Sequence, residues 1–214
     1  MKSQRWETVV FDLDGTLADT INVIVRSYKH AVKTVLGEDV DDDVARGWIG
    51  LPLSDTFARL NAERWPEIER AYRAYNEAHL EELVEPYPGV AEMLRDLTRR
   101  GIRHGVVTSK RRHVAGLTLT YAGLAGLTPI LCGLEDTAKH KPLPDPVLLG
   151  VARLDADPST SVYVGDAVFD IQAARAAGMD SIGVTWGAGT KMQLDAAGPT
   201  FLCHSVDELS ELLG

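Results

Sequence analysis

Along most of this chain, short runs of β-branched and other apolar residues alternate with segments of helical periodicity. That alternation leaves few folds open. The candidate strands are 7–11, 105–107, 129–132, 161–164, 181–184 and 200–203. Between them Val90, Met93, Leu94 and Leu97 keep helical spacing, as do Val147, Leu148, Val151, Ala152 and Leu154, and then Phe169, Ala173, Ala176 and Ala177. Several strand runs are apolar throughout instead of alternating, the pattern of strands covered on both faces. The expected fold class is α/β, a doubly wound, Rossmann-like parallel sheet.

Residues 17–84 break the alternation, with helical patterns and no convincing strand, and read as an inserted α-helical subdomain. Residues 1–16 and 85–214 would then form the α/β core. Asp19 or Thr20 can cap a helix with the apolar face Ile21, Ile24, Val25, Tyr28, Val32 and Val35, ended by Gly37. Ser54 can cap a shorter helix through Phe57 and Leu60, and Pro66 suits the first turn of another. Glu85-Pro86-Tyr87-Pro88-Gly89 marks the return. No apolar run reaches the roughly 18–20 residues that a membrane span needs. The N-terminal residues lead straight into a strand with no signal-peptide core, so a cytoplasmic location is expected. Cys132 and Cys203 are the only cysteines, and both are expected to be buried free thiols. A net charge of −9 with no basic stripe makes nucleic acid a poor partner.

Four constellations carry chemistry. Asp12 and Asp14 in Phe11-Asp12-Leu13-Asp14-Gly15-Thr16 stand where an apolar strand ends and a glycine lets the chain turn; ligands of open α/β sheets bind at such ends. An isolated Asp-Gly pair is also a common solvated turn. Asp166 ends the strand Tyr163-Val164-Gly165, and Asp170 follows one helical turn on; Asp166 could equally cap a helix, with Asp170 a favourable charge in its first turn. Carboxylates gathered at one rim repel each other and call for a cation, and hard oxygen ligands suit Mg²⁺. Thr108 and Ser109 close a third strand with hydroxyls suited to a phosphate oxygen or to a helix N-cap. Lys141 sits in the proline-stiffened loop Lys139 to Pro146. Metal acceptors, a hydroxyl donor and a fixed positive charge are what phosphoryl transfer requires.

In order and spacing, DLDGT, VVTS, KPLPDP and VGDAVFD resemble the four motifs of the haloacid dehalogenase-like hydrolases, over essentially the whole chain. WIGLPLSDTF, the YPGV turn and DIQAARAAG look most like the phosphoglycolate phosphatase group, which includes bacterial inorganic pyrophosphatases. The resemblance makes 17–84 a helical cap and Asp12 the nucleophile of an aspartyl phosphate. It makes Asp14 the acid that protonates the leaving oxygen and then the base that activates water. It implies Mg²⁺ held by the Asp12 side chain, the Asp14 carbonyl and Asp166, with Asp170 in or beside the ligand set, and phosphoryl oxygens held by Thr108, Ser109 and Lys141. A small phosphorylated metabolite is the expected partner, and the chain is expected to be a monomer or homodimer.

Asp14 argues against carbon–halogen hydrolysis, which needs no general acid. The insert's only lysines, Lys29 and Lys33, fall within its first helix pattern and do not favour a Schiff base. A phosphomutase shares the four motifs and stays open. A receiver-like scaffold would lack the insert and the aspartate pair, and a dinucleotide-binding dehydrogenase would show a G-x-G-x-x-G that is missing after the first strand. In the insert, Trp48 between Gly47 and Gly50 is either a lid contact over the substrate or packing between cap helices. Lys110, Arg111 and Arg112 would open a helix at the rim, where cations oppose the macrodipole. A second anionic group on the substrate, or pairing with neighbouring acids, would compensate. Phosphoglycolate and inorganic pyrophosphate are substrates of that kind.

Overall fold

The computed structural model describes residues 5–214. Strand β1 (Thr8–Phe11) is wholly buried, and the chain leaves it through a tight turn into β2 (Ala18–Asp19). Four helices follow: α1 (Ile21–Leu36), α2 (Asp42–Arg46), α3 (Leu53–Leu60) and α4 (Trp65–Leu83). β3 (Glu85–Pro86) returns the chain by pairing antiparallel with β2. The stretch read as strandless therefore begins with two residues of ladder, too short to leave an alternating pattern in the sequence.

The rest of the chain alternates. α5 (Val90–Arg99), β4 (Arg103–Val107), α6 (Arg112–Tyr121), β5 (Ile130–Cys132), α7 (Asp145–Arg153), β6 (Ser161–Gly165), α8 (Val168–Ala176), β7 (Asp180–Val184), α9 (Lys191–Ala197), β8 (Phe201–Cys203) and α10 (Val206–Leu213) follow in turn. The six long-range strands form one parallel sheet in the order β5-β4-β1-β6-β7-β8, an α/β fold with helices on both faces. β1 lies at its centre, and the strand order reverses there, so a crevice opens where β1, β4 and β6 end. Val9 and Phe11 point into an apolar cluster that continues into α1, α3 and α4, whereas Val10 and Tyr163 point into a second cluster under α7 and α8.

Local signals explain most helix ends. α1 stops at Gly37, whose left-handed φ of 77° lets its N–H return to the Lys33 carbonyl. At its start Asp19 Oδ1 accepts from the Ile21 N–H at 3.2 Å, while Thr20, in the N-cap position, makes no side-chain cap. Pro66 does lie in the first turn of α4. Ser54 does not cap α3, which begins one residue earlier at Leu53; its hydroxyl contacts Asp55 instead. Two helical faces agree with expectation only in part: α8 buries Ala173 and Ala177 but takes Ile171 and Ala174 in place of Phe169 and Ala176, and α7 buries Val147 and Val151 with Gly150 while Leu148 is exposed. Cys132 and Cys203 are buried free thiols, and burial pushes each up to about 11. No described helix is long and apolar enough to cross a membrane.

Candidate active site

The ends of β1, β4 and β6 bring the four motifs to one place. Asp12 follows β1 directly and is buried, its N–H donating to the Val164 carbonyl of β6 at 2.8 Å. Asp166 follows β6, also buried. Its Oδ1 accepts from Thr16 Oγ1 at 3.2 Å and its Oδ2 from the Ala188 N–H at 2.6 Å. Two glycines make room for this carboxylate: a Cβ on Gly15 or Gly187 would lie 2.1 or 2.2 Å from Asp166 Oδ2. Gly15 also turns the chain with φ 75°, and this sets Asp14 on the same rim as Asp12.

Lys141 enters from the loop before α7 and is 2% exposed. Its Nζ donates to Asp170 Oδ1 at 2.6 Å and to Tyr163 Oη at 3.2 Å. It also stands 3.1 Å from Asp12 Oδ1, off the line of a hydrogen bond, so that oxygen has an ion pair but no aligned donor. Tyr163 in turn donates to the Val107 carbonyl at 2.8 Å, which fixes the phenol under the ammonium. Burial disfavours the charged form of Lys141; the charges of Asp12 and Asp170 outweigh it and hold the amine protonated well above its ordinary range.

Oxygens of Asp12, Asp166 and Asp170 come within 4.8 Å of one another. Burial, then the charge of Asp170, lifts the Asp166 carboxyl to about 7. Burial likewise raises that of Asp12, against the pull of Lys141 and with the push of Asp170, Asp166 and Asp14. Three carboxylates against one ammonium leave two negative charges in surplus when all are ionised. The surplus, the undonated Asp12 Oδ1 and the space kept by Gly15 and Gly187 fit a small divalent cation with oxygen ligands. Asp170 differs from the other two, since both its oxygens are engaged, one by Lys141 and the other by the Ala167 N–H at 2.9 Å. That second bond caps α8 from its third residue, so the cap is made by Asp170 with Ala167 at the helix start, and not by Asp166.

Above this floor lies a cavity of about 80 Å³. Asp12, Asp14, Thr108 and Asp166 form its base, and Ile24, Tyr28, Ile49 and Tyr72 of the helical insert form an apolar roof. Lys141 and Asp170 stand behind Asp12, outside the cavity wall. Thr108 is buried, with Oγ1 accepting from the Lys110 N–H at 3.1 Å, and Ser109 Oγ donates to the Gly50 carbonyl of the insert at 3.2 Å. Neither hydroxyl caps α6.

The three basic residues do not behave as one group. α6 starts only at Arg112, and Glu135 accepts from its N–H at 3.1 Å and offsets the charge at that helix end, while the guanidinium bonds Asp136 at 2.6 Å. For Arg112 the compensation is pairing with neighbouring acids. Lys110 reaches inward instead, donating to Asp14 Oδ1 at 2.5 Å. Arg111 lines the cavity mouth. Trp48 is not on the cavity wall; its ring packs edge-on against Tyr28 with centroids 5.2 Å apart, and its neighbours Ile49, Gly50 and Leu51 line the cavity instead.

Sequence reasoning passed over Thr16 and Tyr163, although both stand inside the quoted motifs, because a hydroxyl beside a carboxylate has no spacing signature. It also missed Arg73, Asn76 and Glu77 of α4, which line the cavity. Nothing local separates these from ordinary surface positions of a polar helix.

The family model described as haloacid dehalogenase-like hydrolase matches residues 9–184. The chain belongs to the haloacid dehalogenase-like hydrolases. Pyrophosphatase PpaX of Bacillus velezensis is 34% identical over 214 residues, covering 100% of this chain and 99% of the relative. Among solved structures, a predicted phosphatase from Clostridium acetobutylicum superposes with a TM-score of 0.87 at 27% identity, covering 96% of this chain and 97% of that one. A predicted phosphoglycolate phosphatase from Haemophilus somnus superposes at 0.87 with 24% identity over 99% and 100%, a likeness of fold. As a member of this family the chain is a phosphatase in the broad sense, an enzyme that hydrolyses a phosphoryl bond.

Proposed function

We propose that this hydrolase is a Mg²⁺-dependent enzyme for a small phosphate carrying a second anionic group, acting through an aspartyl phosphate on Asp12. The observation that carries the chemistry is one buried carboxylate, Asp12, backed by a buried lysine, with a second carboxylate, Asp14, on the same cavity wall. Asp12 and Asp166 would hold the cation together with the Asp14 carbonyl, and bound Mg²⁺ would offset the repulsion between an anionic nucleophile and an anionic phosphoryl group. Lys141, 3.1 Å from Asp12 Oδ1, draws that carboxyl toward its charged form against burial and the neighbouring carboxylates, and Asp170 and Tyr163 keep Lys141 in place. The Asp12 carboxylate attacks phosphorus as the bond to the leaving oxygen breaks, and Asp14 supplies that oxygen with a proton. Asp14 then takes a proton from the water that opens the aspartyl phosphate, which releases phosphate and restores both residues. Thr108 offers its hydroxyl to a transferring oxygen, and the insert excludes bulk water.

Inorganic pyrophosphate is the substrate favoured by the relative at 34% identity, which is named for it. The apolar roof of Ile24, Tyr28, Ile49 and Tyr72 favours a second reading, a short organic phosphate such as phosphoglycolate. A hydrolysis screen across pyrophosphate, phosphoglycolate, sugar phosphates and nucleoside monophosphates at matched Mg²⁺ tests both. We expect kcat/KM to be highest for one of the first two. A preference for sugar phosphates would reject the two-anion reading.

A further inference from the structure

Two guanidiniums meet at the cavity mouth from opposite sides of the cleft, Arg73 from α4 of the insert and Arg111 from the loop after β4. Arg73 is bonded to one oxygen of Glu69, and Arg111 stands at ion-pair distance from the same oxygen. Arg73 Nε donates to Glu69 Oε1 at 2.8 Å, its Nη2 donates to the same oxygen, and Arg111 Nη2 stands 4.0 Å from it. Glu69 itself is not on the cavity wall; its side chain is 15% exposed, behind the two arginines. Without it, two like charges on long, rotamer-rich side chains would repel and spread into solvent. With it, Nη1 of Arg73 stays outside the Glu69 contact, and both arginines line the cavity. The same loop supplies Thr108 to the cavity base and Lys110 to Asp14. Glu77, also on the wall, opposes anions at the mouth, which makes the orientation of the two arginines matter more than net charge.

We propose that Glu69 is a positioning residue that holds Arg73 and Arg111 together across the cleft as the subsite for the substrate's second anionic group, and so determines the preference for two-anion over one-anion phosphates. The proposal rests on the reading under Proposed function. It makes discrimination depend on a residue that touches no substrate.

The test compares kcat and KM for pyrophosphate and phosphoglycolate with those for p-nitrophenyl phosphate, which has one anionic group, in the parent, Glu69→Gln, Glu69→Ala, Arg111→Ala and the double variant Glu69→Ala/Arg111→Ala. Binding of methylenediphosphonate by calorimetry is measured alongside. Glu69→Ala should raise KM for the preferred two-anion substrate about tenfold and weaken methylenediphosphonate equally, the order expected when a long side chain must be ordered anew on binding. KM for p-nitrophenyl phosphate and kcat for all substrates should change less than about twofold, within what a distant independent change produces. Glu69→Gln, which keeps the acceptor for Arg73, should recover part of the loss. In the Arg111→Ala background, removing Glu69 should add less than it does alone, since the two act through one subsite. If the parent itself shows no KM advantage for two-anion substrates, the functional reading fails and this proposal with it. If the parent shows the advantage and Glu69→Ala keeps it, the proposal alone is overturned. A fall in KM in Glu69→Ala would also overturn it, showing a carboxylate that competes with the ligand. Equal losses on both substrate classes would reduce Glu69 to a structural role.

Discussion

At the scale of single residues, Asp12 and Trp48 make opposite predictions. Asp12 is buried among carboxylates, and its raised protonation range means that its charge is held at a cost to the folded state. Asp12→Asn removes one of three facing charges and leaves Lys141 bonded to Asp170. It should abolish turnover while the metal-free protein melts at or above the parent temperature, as followed by circular dichroism with chelator present. A melting point clearly below the parent would mean that the attraction of Lys141 outweighs burial and repulsion. Trp48 packs against Tyr28 outside the cavity. Trp48→Ala should cost about 2–3 kcal/mol, less than a fully buried Trp, and keep the order of substrates. A changed order with unchanged stability would restore Trp48 to the lid.

At the scale of elements, β5 is an edge strand, and its outward carbonyls are capped by side chains. Arg112 donates to the Ile130 carbonyl at 2.7 Å and Arg153 donates to that of Leu131, while Asp136 holds both guanidiniums at 2.6 and 3.1 Å. This covers a row of acceptors that would otherwise template pairing with another chain. Arg153→Ala should lower stability by about 1–2 kcal/mol, the value of a charged hydrogen bond partly open to water. It should also raise light scattering on mild heating. Unchanged scattering would show that the edge is protected without Arg153.

Across the whole molecule, the acidic floor should couple stability to pH and, on the metal site proposed above, to Mg²⁺. Asp166 is lifted to about 7 from the ordinary 3.8, so between those values the folded protein holds a proton that the unfolded chain has lost. That contribution is full below about pH 4 and disappears as pH rises through 7. Without metal, urea midpoints should therefore fall as pH is raised from 5.5 to 7.5. Added Mg²⁺ should raise the midpoint more at pH 7.5, where the carboxylates are free to bind it, than at pH 5.5. An equal Mg²⁺ effect at both values would place the cation elsewhere. Chelator should suppress hydrolysis, with Mg²⁺ restoring it.

Much of this was legible in the chain alone. Six strands could be read because each is a short, largely apolar run, wholly buried in β1 and β6 and less so at the edge in β8, and the helix 21–36 because its stripe is broad and ends at Gly37. Asp12 and Asp166 were legible because a carboxylate at the end of an apolar strand is a local pattern, and Asp14 and Asp170 because each follows its partner at short spacing, two and four residues on. On α7 and α8, Val147, Val151, Ala173 and Ala177 were legible, whereas Gly150, Ile171 and Ala174 were not, since a glycine adds nothing to a stripe, an alanine-rich helix carries a weak one, and the neighbouring sheet selects which side is buried. Nor were the partners of the three basic residues. Lys110, Arg111 and Arg112 are adjacent in sequence, yet they reach Asp14, Glu69 and Asp136, which lie in three separate parts of the chain. Sequence determined which chemical groups stand at the strand ends; only the tertiary packing of core and insert decided what faces them, because a long charged side chain takes its direction from whichever opposite charge the fold brings within reach.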